Sequence, residues 1–253
     1  MKYFIVMIYM DTTFWGPPAW ILLHTIAYNY VPNELNRETY RLFFENLQNV
    51  LPCIYCRASY IEYISYEPIT LHLDSSKDLS LWLYKIHNLV NNKLRSQNLL
   101  KWENPTFEDI YKRYSDANEA IDRCQTRCQS IMGWNFLYCI AFVFPENGRL
   151  EAQTSHYNGY YTFFNTLAQV LPMKGGYQDL YIDYLQQYPI LEYLENREQL
   201  KKWIYNLEII INNNLKVKCN EFAQIEDEIE NYRAGCDSIK SDLKPTCRRV
   251  LKK

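Results

Sequence analysis

Phe43-Phe-Glu-Asn-Leu-Gln-Asn-Val-Leu-Pro-Cys-Ile-Tyr-Cys56 places Phe43, Leu47, Val50 and Leu51 on one face at the three- and four-residue spacing of an amphipathic helix, and then breaks that helix. Pro52 has no amide to donate, so a helix running from about Asn36 ends at Val50 and a new one opens at Cys53. The same phrase returns 120 residues later without its sulfurs. Phe163-Phe-Asn-Thr-Leu-Ala-Gln-Val-Leu-Pro172 is identical to Phe43 to Pro52 at six of ten positions, with no gap.

Three other stretches agree in the same order. Trp20-Ile-Leu-Leu-His-Thr-Ile-Ala27 corresponds to Trp134 to Ala141, Tyr60-Ile-Glu-Tyr63 with Pro68 and Ile69 to Tyr181-Ile-Asp-Tyr184 with Pro189 and Ile190, and Leu79 to Arg95 to Leu200 to Lys216. Shared amphipathic periodicity accounts for matching Leu and Ile but not for matching Trp, Pro and Asn, so the reading is a duplicated four-helix unit. What the second copy discards is informative. Cys53 and Cys56 become Met173 and Gly176, His24 becomes Tyr138, and His87-Asn88 becomes Glu208-Ile209. The apolar scaffold persists while one set of polar and sulfur side chains is lost, which marks that set as functional.

The expected elements are helices over about 17–30, 36–50, from Cys53, 78–95 with Ser75 or Ser76 as N-cap, and 105–114, with Gly16, Pro17 and Pro18 forming a turn in front of the first. Composition agrees with an all-α fold: 253 residues contain only 7 Gly and 10 Pro, and 16% are aromatic. A net charge of -2 leaves no basic field for nucleic acid. No apolar run reaches the roughly 18 residues of a membrane span, and Met1 to Met10 runs into Asp11 without a signal-peptide cleavage pattern. Neither membrane insertion nor secretion by a signal peptide is expected.

Eight cysteines then point to redox or metal chemistry. A CxxC at a helix start holds two sulfurs close enough for a disulfide, where unpaired amides and the positive end of the helix dipole favour thiolate. A thioredoxin-like site requires a βαβ setting that the helical flanks do not provide. Zinc held by Cys53, Cys56, Cys124 and Cys128, in a helical interaction protein without catalysis, is the alternative.

Taken together, Trp20-Ile-Leu-Leu-His-Thr-Ile-Ala27, Leu51-Pro-Cys-Ile-Tyr-Cys56 and His87-Asn-Leu-Val-Asn-Asn-Lys-Leu94 resemble the WxxLHxxA, PCxxC and HNxVNxxL motifs of the Erv/ALR flavin-linked sulfhydryl oxidases, in order and spacing. The style of the chain, rich in Tyr, Asn and Ile, is similar to versions from large double-stranded DNA viruses, which would put it in the host cytoplasm or the virion. The resemblance implies FAD gripped by four helices, protein thiols as substrates and O2 as acceptor, yielding H2O2. It implies catalytic roles for Cys53, attacked by incoming thiolates, and Cys56, facing the flavin. It also implies cofactor contacts from Gly16, Trp20, His24, Tyr28, His87, Asn88, Asn91, Lys93 and Leu94, with Cys124 and Cys128 as a shuttle disulfide or a structural pair.

Two departures accompany the resemblance: Pro17 stands where the family often has arginine, and the family's CX16C staple is missing from this unit. Cys219 and Cys236 have that spacing but lie in the tail, and are read as coincidence. The organisation expected is a catalytic FAD-binding four-helix bundle over 11–115, a linker over 116–130, a degenerate copy without CxxC over 131–216 and a helical tail over 217–253. A homodimer, or a pseudo-dimer within one chain, follows from the family's usual pairing.

Overall fold

The computed structural model describes residues 9–120, 132–146, 154–173, 176–234 and 246–247. Their architecture is all-α apart from one two-residue ladder. In chain order the elements are β1 (Tyr9–Met10), α1 (Thr12–Tyr28), α2 (Glu34–Val50), α3 (Ile54–Tyr66), a 3-10 turn (Ile69–Leu71), α4 (Ser76–Ser96), α5 (Phe107–Ala120), α6 (Trp134–Phe142), α7 (Thr154–Val170), α8 (Tyr177–Gln187), a second 3-10 turn (Ile190–Tyr193), α9 (Arg197–Asn214), α10 (Phe222–Glu230) and β2 (Arg233–Ala234).

Helix ends follow local chemistry. Asn33, Ser75 and Asn196 cap α2, α4 and α9, each side chain accepting the amide three residues on. The first helix starts earlier than expected. The Asp11 carboxylate accepts the Thr13 amide at 2.8 Å, and Trp15 is buried with its indole N–H on Met10 O. These anchors hold a first turn ahead of Pro17 and Pro18, which therefore lie inside α1 instead of forming a turn before it. Helix α5 likewise continues to Ala120, into the stretch expected as linker. The tail is not purely helical, because β2 follows α10 and pairs antiparallel with β1, Tyr9 opposite Ala234 and Met10 opposite Arg233.

The two halves use the same interactions at corresponding positions. The Trp82 indole donates to Glu67 O at 2.7 Å and the Trp203 indole to Tyr188 O at 2.9 Å. Tyr60 Oη donates to Phe44 O and Tyr181 Oη to Phe164 O. Phe44 meets Trp82 edge-on, as Phe164 meets Trp203.

A single buried core runs through both halves. Its centre is the seam between α2 and α7, where Phe43 stacks against its own counterpart Phe163 with centroids 5.6 Å apart. Beside them Tyr40 Oη donates to Val170 O, and Asn46 donates to the carbonyl of Gly159. A second contact joins α1 to α6, with Trp15 against Phe136 and Gly133 at φ +61° close under Pro18 O and Leu22.

The seam depends on Gly159, since a Cβ there lies 2.6 Å from Asn49 Cβ. Replacing Gly159 by Val forces α2 and α7 apart and costs about 1–3 kcal/mol in overpacking, which lowers the melting temperature by roughly 2–12 °C for a chain of this size. A thermal melt at or above the parent's would mean that the helices do not approach this closely.

Candidate redox site

Pro52 ends α2, and Cys53 becomes the N-cap of α3, its sulfur accepting the Cys56 amide at 3.2 Å. Cys53 and Cys56 are joined as a disulfide across a Cα separation of 5.1 Å, inside the ordinary range for that bond. Joined in this way they are not a thiolate pair for zinc, and the zinc reading finds no support. Cys53 has no solvent exposure and Cys56 is half-buried. Ser59, one turn beyond Cys56 on the same face, accepts a hydrogen bond from Lys93 Nζ of α4 at 3.0 Å. That bond turns the Cys56 side of α3 toward α4. On the other side the backbone before the pair is tied down, with Met10 N donating to Pro52 O at 3.0 Å and Arg57 Nε to Leu51 O at 2.7 Å.

Above α4 and α1 lies a group of flat rings. Trp20 stacks on His87 with centroids 3.8 Å apart and planes 9° apart, and His24 stacks on Tyr114 at 5.0 Å. The two imidazoles meet through His24 Nε2 and His87 Nδ1 at 3.2 Å. Burial holds the His24 pKa down at about 3, helped by His87 and Arg113, and burial alone lowers His87 to about 4. Both rings are therefore neutral at physiological pH, and the tautomer of one fixes that of the other.

Of the expected residues on α1 and α4, which pack against each other, Trp20, His24 and His87 meet directly; His24 is buried, while Gly16, Trp20, Tyr28, His87, Asn88, Asn91, Lys93 and Leu94 are partly exposed. A Cβ on Gly16 would meet nothing within 4 Å, so neither packing nor backbone conformation of the chain requires glycine there. Asn91 has a structural task, donating to Asn104 Oδ1 at 2.9 Å, which Arg95 also contacts, and so pinning the loop between α4 and α5. Cys124 and Cys128 lie outside the described residues. Sequence reasoning missed Tyr111 and Tyr114 of α5, which face Tyr28 and His24; their three-residue spacing on a short aromatic-rich helix was the available signal. It also missed Arg57.

Residues 17–112 match the model of the Erv1/Alr family. A probable FAD-linked sulfhydryl oxidase of Acanthamoeba polyphaga mimivirus is 31% identical over 127 residues, covering 49% of this chain and 80% of that protein. The chain belongs to the Erv1/Alr family. An FAD-linked sulfhydryl oxidase of African swine fever virus is 31% identical over 101 residues, 39% of this chain and 81% of its own length. The mitochondrial FAD-linked sulfhydryl oxidase of Saccharomyces cerevisiae is 29% identical over 82 residues, 32% of this chain and 42% of the yeast protein. No solved structure matches. The Erv1/Alr match ends at residue 112, so it covers the disulfide and the rings of α1 and α4 but not Tyr114 or the second half.

In that second half the positions of the histidine pair hold Tyr138 and Glu208, and Tyr138 Oη donates to Glu208 Oε2 at 2.6 Å while Asn212 donates to Glu208 Oε1. Burial raises the carboxyl pKa of Glu208.

The neutral histidines carry a pH signature. Once exposed, both titrate near 6.5, so between about pH 6.5 and pH 4 the unfolded chain binds more protons than the folded one. Stability contributed by this pair is complete above that window and falls as the pH drops through it, by an amount on the order of a few kcal/mol. Denaturant midpoints measured from pH 7.5 to 4 should fall less steeply in the His24→Gln/His87→Gln double variant than in the parent; equal slopes would contradict the burial of neutral imidazoles.

Proposed function

We propose that this chain is an FAD-dependent sulfhydryl oxidase that makes disulfide bonds in thiol-containing proteins, with O2 as electron acceptor and H2O2 as product. The observation that carries the reading is a disulfide at the N-terminus of α3, a helix tied to α4 through Ser59 and Lys93, together with a cluster of flat aromatic and imidazole rings on α1, α4 and α5, on a chain whose relatives bear that activity in their names. The residues present fit the cofactor. Trp20, His24, His87 and Tyr114 supply flat walls, and Lys93 brings a cation toward an anionic group. FAD, when bound, supplies a two-electron acceptor that O2 reoxidises.

The chain's own residues perform the exchange. A substrate thiolate attacks Cys53 and forms a mixed disulfide as the bond to Cys56 breaks; the substrate's second thiolate then displaces Cys53 and closes the substrate disulfide, leaving both cysteines reduced. The Cys56 amide on Cys53 Sγ and the N-terminus of α3 stabilise charge on the first sulfur, and Lys93 lies on the side of the second. Cys53 is buried, so its reaction with a bulky substrate requires an opening of the segments around the loop. Cys124 and Cys128 would relay oxidising equivalents from the pair to such substrates. Encoding by a large DNA virus, with a place in the host cytoplasm or virion, accords with the mimivirus and swine fever virus relatives.

Cys53→Ser and Cys56→Ser each abolish oxidation of dithiothreitol while the protein stays yellow, because the rings stand on α1, α4 and α5. Near-parental turnover in either variant would overturn the assignment. In the same oxygen-consumption assay, Cys124→Ser/Cys128→Ser slows a reduced protein substrate more than dithiothreitol, and equal effects would leave that pair structural.

The second half serves as a degenerate copy that binds no FAD and takes the place of a second subunit. Supporting this are Phe43 against Phe163, corresponding residues meeting as they do across a two-fold interface, and the Tyr138–Glu208 bond where the histidines stand in the first half. Flavin absorbance against protein concentration gives one FAD per chain; two would refute it.

A further inference from the structure

The helix that carries the redox pair turns an uncharged face to solvent. The exposed residues of α3 are Ile54, Ala58, Ile61, Ser65 and Tyr66. The first four follow one another at spacings of four, three and four, so they form one ridge along the helix, and it starts between the two cysteines. Ile54 is 38% exposed and Ile61 48%. The two charged residues of α3, Arg57 and Glu62, are half-buried on the flanks of this ridge, and Arg57 is turned back onto Leu51 O. Helix α8, the counterpart in the second half, has the opposite character. Each of its exposed residues, Asp179, Asp183, Gln186 and Gln187, is polar. Asp179 stands at the position of Ala58 and Gln186 at that of Ser65, in the register that aligns Tyr60 with Tyr181. The scaffold therefore does not call for an apolar outer face at this helix. The copy that keeps the cysteines has one, and the copy that lost them does not.

We propose that the ridge from Ile54 to Ser65 is a docking surface for reduced polypeptide, taking apolar side chains that flank a substrate's cysteine, with Ala58 and Ile61 as specificity-determining residues. This rests on the oxidase reading given above. Two observations name this occupant. Ile54 lies between Cys53 and Cys56 in the chain, so a polypeptide whose thiolate attacks the pair comes against the start of the ridge. Cys53 itself has no solvent exposure, so a thiolate cannot react on first encounter. A substrate held beside the loop until it opens is present at a raised effective concentration. An unfolded chain offers apolar side chains that a folded one buries, and an uncharged ridge therefore selects reduced, unfolded substrates. At 1.5 Å per residue the ridge is about 16 Å long, the span of about five residues of extended chain.

The test uses the full-length holoprotein and two reduced dithiol peptides, each Cys-Gly-Gly-Cys with flanks of five residues that carry leucines in one peptide and serines at the same places in the other. By oxygen consumption, the parent's kcat/KM for the leucine peptide exceeds that for the serine peptide by about tenfold, with the difference in KM, as one or two apolar side chains brought out of water provide. Ala58→Asp/Ile61→Gln, which gives α3 the polar outer face of α8, brings that ratio close to one. Asp183→Asn, on the outer face of α8, leaves it at the parental value. Retained FAD and a cooperative melt check that the double variant is folded; if it is not, Ile61→Ser takes its place, with a ratio between those of the parent and one. Equal kcat/KM for the two peptides in the parent, or a variant that loses activity on both alike, overturns the proposal. So does a dimer in sedimentation that the double variant dissolves with the ratio unchanged, since the ridge would then join two copies of this chain. Fluorescence anisotropy with labelled peptides whose cysteines are replaced by serine reads docking without turnover, and the leucine peptide binds the parent about tenfold more tightly than the serine peptide. A parent that oxidises neither peptide nor dithiothreitol but shows this binding difference would instead refute the oxidase reading and leave the docking surface intact.

Discussion

The close approach of α2 and α7 is the constraint on which the other arrangements depend. One glycine, Gly159, allows it, and the phenyl ring of Phe43 on that of Phe163 fills the space it creates. Interiors packed to crystal density transmit such a contact without slack. With the seam set, Tyr40 reaches the end of α7. The far end of α2 then fixes where Pro52 must break the chain and where Cys53 begins the next helix. The redox pair is thus held at the end of a lever whose fulcrum is shared by both halves.

Comparison of the halves separates what packing requires from what chemistry requires. Indole bonds, tyrosine bonds and edge-on rings recur at corresponding positions, each satisfying a buried polar group or filling core volume. The histidine pair does not recur. Its two neutral rings use one nitrogen each on one another and keep a second, whereas Tyr138, Glu208 and Asn212 form a closed group of side-chain bonds. Opening a polar cleft is costly unless something fills it, and closing it with internal bonds is the stable outcome when nothing does.

Helices with a long apolar stripe were legible in the sequence because the 3.6-residue period repeats over several turns, as in α2 and α4. The placing of Cys53 was legible because Pro52 acts through covalent structure that no tertiary contact can alter. The start of α1 was not, because a cap at Asp11 and a buried Trp15 outweigh two prolines whose local preference is to open a helix. Two-residue strands leave no periodicity to read, and the partner of β1 is more than 220 residues away. Arg57 was passed over for a related reason: the partner of its side chain is a backbone carbonyl, that of Leu51, which no pattern of side chains marks. His24, His87 and Trp20 were legible only through motif spacing, and the aromatic pair on α5 that faces them was lost in a chain holding 23 tyrosines.

The ladder between β1 and β2 has a consequence in time. Met10 holds Pro52 and pairs with Arg233, Asp11 N donates to Tyr232 O, and Thr12 N donates to Cys247 O. When the ribosome has released the helices that form the ring cluster, the segment next to the cysteine loop still lacks the partners that dock it. They arrive only after another hundred or more residues have been translated. A nascent chain therefore carries its cysteine pair with one side of the loop undocked until the segments around Arg233 and Cys247 have been made, so the loop reaches its final geometry long after the helices beside it.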